Sequence, residues 1–120
     1  VEIDIEKTLS FIRKNARDYA VAKSDRVYLE QFRKSKKALL MVEAEQKGIK
    51  TGQERESYAY SHEDYIQLLM ALQIAVEKEE YLKLMIAGCH AKIELWRTSR
   101  QTIGQSEMLT AHDFYSELQR

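Results

Sequence analysis

Apolar residues recur at alternating steps of three and four along the second half of the chain: Tyr65, Leu68, Leu72, Ala75, Leu82, Ile86, Cys89, Ile93, Trp96 and Ile103. Only Glu79 and Arg100 interrupt the series at seam positions. Such a heptad seam predicts one long helix over about 61–103 with a partner helix lying along it. Ser61-His62-Glu63-Asp64 stands just ahead of the seam and resembles a capping box, with Ser61 as N-cap and Asp64 three residues on. The first third of the chain supplies the partner. There Ile5, Leu9, Ile12, Ala16 and Tyr19 keep heptad spacing, and steps of four through Ala20, Ser24, Tyr28 and Phe32 carry the stripe to Ser35, Leu39 and Val42. The four-residue steps amount to a stutter, which locally unwinds a left-handed supercoil. Asp4 and Glu6 suit the positive end of a helix dipole, and Gly48 supplies a stop, so this helix is expected over about 3–47.

Residues 48–60 read as a connector, polar at first and holding two glycines within five residues. Tyr58 and Tyr60 at its end are expected to pack back onto the hairpin. Gly104 is expected to end the second helix, which makes 1–104 a helical hairpin and 105–120 a tail. In the tail, Thr110 and Asp113 form a second possible capping box, and Phe114 and Leu118 share one face of a short final helix. Ala71, Leu72, Ile74, Ala75 and Val76 widen the apolar face beyond what one neighbour needs, and Gly88 in mid-helix calls for close helix approach to offset its cost. The expected fold is therefore all-α: a long antiparallel helical hairpin, assembled into a bundle by self-association through Leu69, Leu72 and Val76, with a short C-terminal helix.

Composition adds few constraints but useful ones. The chain has 120 residues and no proline, enough for one domain with a modest core. Its single cysteine, Cys89, excludes an internal disulfide and fits a reducing compartment. No apolar run reaches the roughly 18 residues of a membrane span, so no membrane partner and a cytoplasmic location are expected.

Charge is neutral in sum and uneven in distribution. Between Lys7 and Lys37 stand ten basic residues and three acidic ones. Lys23, Arg26, Arg33, Lys34 and Lys37 form the core of this basic segment, and a row of cations along a helix is what phosphate contacts require. The same cations could instead cover a helix seam with their stems and pair with Glu77, Glu79 and Glu80 across it. Catalytic chemistry has little to stand on. His90 and Glu94 lie one turn apart beside Cys89, but Cys89 and His90 point about 100° apart and no second ligand cluster is present. His62 and His112 stand near expected helix starts. No nucleophile triad, phosphate loop or dinucleotide fingerprint is visible, so no enzyme, metal, cofactor or small-molecule substrate is expected.

Three stretches carry a resemblance: Arg26-Val27-Tyr28-Leu29-Glu30-Gln31-Phe32-Arg33-Lys34-Ser35-Lys36-Lys37-Ala38, Gln53-Glu54-Arg55-Glu56-Ser57-Tyr58-Ala59 and Ala91-Lys92-Ile93-Glu94-Leu95-Trp96-Arg97. Over roughly Ala16 to Arg100 the chain resembles small helical proteins encoded by tailed phages and prophages near genes for single-strand annealing and DNA recombination. The resemblance implies a setting, phage DNA recombination or replication within a host cell, and assigns no catalytic residue. The expectation is a non-enzymatic accessory protein that presents the basic segment to single-stranded DNA or to an acidic recombination protein. The alternative is a protein-binding adaptor or inhibitor, without nucleic-acid contacts, that uses the apolar face from Leu69 to Val76.

Overall fold

The computed structural model describes residues 2–119, with the side chains of 106–115 and 117 outside the description. It contains three helices, α1 (Ile5–Gln46), α2 (Gly52–Ser61) and α3 (Glu63–Leu118), and no strand among the described residues. The protein is an all-α helical hairpin in which α1 packs on α3. By contacts it divides into two units, Ala16–Lys83 on one hand and Val1–Asn15 with Leu84–Arg120 on the other. No described helix is long and apolar enough to cross a membrane.

Within Ala16–Lys83, α1 and α3 run antiparallel, since Arg26 reaches Glu79 while the later Lys36 reaches the earlier Asp64. On α3 the buried positions are Tyr65, Leu68, Leu72, Ala75, Glu79 and Leu82, the seam expected from spacing, with a carboxylate in it. On α1 the outcome differs from the expected stripe. Among the protected positions, Tyr19, Ala22, Arg26, Leu29, Arg33, Lys36, Leu40 and Glu43 form an unbroken heptad series, with Glu30, Lys37, Met41 and Ala44 protected along its flank. No stutter is needed, because Tyr28, Phe32, Leu39 and Val42 are not the intrachain seam; all four are exposed. The buried series lies one residue further along the helix. Two of its polar members are accommodated because the stems of Arg26 and Lys36 cover apolar surface while their heads reach Glu79 and Asp64 on α3.

The end of α1 is a Schellman motif. Gly48 N–H donates to the Glu45 carbonyl (3.0 Å) and Ile49 N–H to the Ala44 carbonyl (3.1 Å), with Gly48 at φ 89°. Where the sequence suggested an irregular connector, α2 forms instead. Thr51 caps it by accepting from Glu54 N–H (3.2 Å), and Ala59 carries it into the core beside Leu40 and Tyr65. Tyr60 meets Tyr65 edge to face at 5.3 Å, and the Tyr58 hydroxyl accepts from Lys47 Nζ (2.9 Å), so this segment packs back as expected. Ser61 does not cap α3. It ends α2, its hydroxyl donates to the Ser57 carbonyl (2.7 Å), and the His62 ring accepts from Asp64 N–H (3.0 Å) in the capping position.

In the other unit, Ile86, Cys89, Ile93 and Trp96 continue the buried or half-buried spacing on α3, and Ile5, Thr8, Ile12 and Asn15 do so on α1. Arg100 lies over the Trp96 ring at 5.5 Å. Gly104 does not end the helix. Among the described residues only Gly48 takes a positive φ, and α3 passes through Gly104, so the expected short final helix is a continuation of α3 and not a separate element. The proposed roles of Thr110, His112, Asp113 and Phe114 fall outside the described side chains.

Two glycines yield opposite expectations. Gly48→Ala forces an L-residue into the left-handed region with no steric contact to add, and should cost about 1–2 kcal/mol. At Gly88 a Cβ would also meet nothing within 4 Å, so the close approach expected there is not made among the described residues. Gly88→Ala should then stabilise by about 1 kcal/mol through helix propensity. Urea unfolding of both variants at one protein concentration checks the signs.

Candidate interaction surfaces

The five cations of the basic segment do not share one surface. Arg26 stands in the α1 seam and clasps Glu79 side-on: Nε donates to Oε2 and Nη2 to Oε1 (3.2 Å), while Nη1 donates to Glu30 Oε2 (3.0 Å). Glu79 occupies a seam position of α3, and the carboxylate is held below its ordinary range, first by the Arg26 hydrogen bonds and then by the charges of Arg26, Lys23 and Lys83, against a desolvation penalty. Arg26 is shifted upward by the same bonds. These two charges satisfy each other and are withdrawn from any outside ligand.

Lys37 is similarly engaged. Its Nζ donates to Glu56 Oε1 (3.1 Å) and sits 4.8 Å from the centre of the Tyr60 ring, and its pKa is raised by Tyr60 and then by Glu56. Lys36 joins Asp64 at 3.2 Å. Arg33 is a half-buried seam residue, whereas Lys23 and Lys34 are exposed. None of these three takes part in an ion pair among the described residues. Of the facing carboxylates named from sequence, only Glu79 is paired across the hairpin; Glu77 and Glu80 are exposed.

The apolar residues divide just as clearly. Leu72 is buried in the α3 seam, so it faces α1, while Leu69 and Val76 remain exposed. A larger set, which spacing alone places in the interior, lies outside. Tyr28 and Phe32 stack parallel with centroids 5.8 Å apart, and Tyr28 and Leu39 keep 64% and 61% of their surface. Tyr28 borders a groove of about 360 Å³ shared with Asp25, Leu29, Ala71, Ile74, Ala75 and Lys78. Both helices thus contribute apolar surface to one side of the hairpin. The signal for this second stripe was present in the sequence, since 28, 32, 35, 39 and 42 themselves keep heptad steps.

The groups considered for metal chemistry stay apart. Cys89 is buried, His90 is exposed, and Glu94 pairs with Arg97 (3.1 Å). Among the described residues no three His, Cys, Asp or Glu side chains converge. No protein-family model matches the sequence, and comparison with curated proteins and with solved structures finds no match for this chain.

Proposed function

We propose that this protein is a non-enzymatic helical module that works by associating with other protein surfaces. The observation that supports it most is the row of two aromatics and two aliphatics, Tyr28, Phe32, Leu39 and Val42, left exposed at heptad spacing on α1. Contiguous exposed apolar surface of this kind marks a protein contact, because leaving it in water forgoes about 25 cal/mol per Å² of apolar area. The cations give less support to a nucleic-acid role, since Arg26 and Lys37 already have carboxylate partners.

A second role, accessory to phage DNA recombination, draws on Lys23 and Lys34, which are exposed on α1, the helix that also carries the stacked Tyr28 and Phe32 rings. Single-stranded DNA is held by cations along its backbone and by aromatic stacking of its bases. The two roles separate in one titration. A labelled single-stranded oligonucleotide followed by fluorescence anisotropy should show no saturable binding at low salt if the module is protein-directed. Saturable binding that weakens at least tenfold as salt rises from about 50 to 200 mM, and that is lost in Lys23→Glu with Lys34→Glu, would make the DNA role the correct one.

A further inference from the structure

We infer that the side of the hairpin bearing Tyr28, Phe32, Leu39 and Val42 of α1 with Ala71 and Ile74 of α3 is covered by a second copy of this chain. The inference rests on the protein-association role above and names the partner. Its first support is the exposure of the patch itself: Tyr28, Leu39 and Ile74 keep 64%, 61% and 66% of their surface, contiguous apolar area that is left in water unless another surface covers it.

The second support is charge. The groove beside Tyr28 and Ile74 is bordered by one carboxylate, Asp25, and one ammonium, Lys78, and neither makes an ion pair among the described residues. An isologous contact places the same patch on both subunits, so Asp25 of one copy can meet Lys78 of the other, twice. A patch that carries its own counter-charge needs no foreign partner to neutralise it. The formal net charge of zero likewise removes the long-range repulsion that would oppose pairing of identical chains.

The third support is periodicity. Positions 28, 32, 35, 39 and 42 repeat at the spacing of a helix-to-helix seam, and the chain's own α3 is seated on the neighbouring series one residue away. Ile74, two-thirds exposed on α3, extends the patch to both helices. Two hairpins apposed through it form a four-helix arrangement, the common way for such faces to be buried.

Sedimentation equilibrium of the full chain, with far-UV circular dichroism on the same samples, tests this. The expected mass is at least twice 14.1 kDa. Ile74→Asp and, separately, Leu39→Asp should each return the chain to monomer with helicity kept, since both sites are exposed in the single chain. Asp25→Lys should raise the dissociation constant at least tenfold, and Asp25→Lys combined with Lys78→Asp should bring it back, a rescue that a folding defect would not give. A wild-type monomer at 100 µM, or an oligomer that survives Ile74→Asp and dissociates with Leu69→Asp, overturns the inference. The oligonucleotide titration run on the same samples tells the two failures apart. A monomer that ignores DNA leaves the association role standing with a different partner, and a monomer that binds DNA with steep salt dependence removes both.

Discussion

Leu40→Ala is expected to lower stability by about 2–5 kcal/mol, the cost of truncating a buried leucine. Leu40 is buried where α1, α2 and α3 meet, against Ala59 of α2 and Tyr65 of α3, with Met41 packed alongside. Removing its branched end opens a cavity that all three helices border. Neither helix can close in without disturbing the other, because α2 is tied at Gly48 and Thr51 and α3 is tied through the seam. Urea unfolding at a single protein concentration measures the loss, since association would otherwise shift the midpoint. A loss below about 1 kcal/mol would mean that α2 is not docked in solution, as only an already hydrated Leu40 would be so cheap to truncate. Exposed Leu84, outside both the core and the proposed contact, is the control: Leu84→Ala leaves the intrachain core intact.

The second large effect concerns Glu79. Truncating it to alanine strands the Arg26 guanidinium in the seam with only Glu30 as partner, and losing one member of a protected pair is far more damaging than losing both. Glu79→Ala should therefore lower the thermal midpoint more than Lys37→Ala, whose partner Glu56 can return to solvent. Arg26→Leu with Glu79→Leu should recover most or all of the loss, because apolar side chains suit the seam. Equal midpoints for Glu79→Ala and Lys37→Ala would show the Arg26 contact to be incidental.

The same pair sets an acid dependence. The folded Glu79 carboxyl has its pKa depressed below the ordinary 4.5 by the Arg26 hydrogen bonds. At pH above 4.5 both folded and unfolded carboxyls are ionised, and the full stabilisation is present. As pH falls below 4.5 the unfolded chain takes up a proton first, so stability declines until the folded group also titrates. Glu79→Gln should flatten this acid limb. Superimposable limbs for wild type and variant would mean that the ion pair adds nothing to the folded state.

How far the chain could be read from its residues depends on whether the deciding interaction was local. The seam of α3 was legible because apolar residues at 65, 68, 72, 75 and 82 leave a long helix only one face to bury. Gly48 was legible because a left-handed residue closes a Schellman motif with the carbonyls just before it. The candidate surface was legible only in part. Lys23 and Lys34 lie exposed as a basic segment would suggest, but Arg26 and Lys37 are spent on Glu79 and Glu56, residues 53 and 19 positions away. Leu69 and Val76 are exposed and Leu72 is not, a distinction that the breadth of an apolar run does not contain.

By itself, then, the sequence determined that the chain is helical, where its first helix stops, and which face of α3 turns inward, all consequences of helical period and backbone conformation. Which face of α1 meets it depends on contacts between segments far apart in the chain. Two heptad series run along α1 one residue apart, about 100° around the helix, and periodicity admits either. The apolar one, through Tyr28, Phe32, Leu39 and Val42, is the natural choice for a helix read alone. The mixed one is buried because Leu40 finds Ala59 and Tyr65, and Arg26 finds Glu79, contacts that exist only once the chain has folded back. The same holds for Gly104 and for α2. A helix continues through glycine unless the backbone turns left-handed, and ten residues become helical when Ala59 can be buried by doing so.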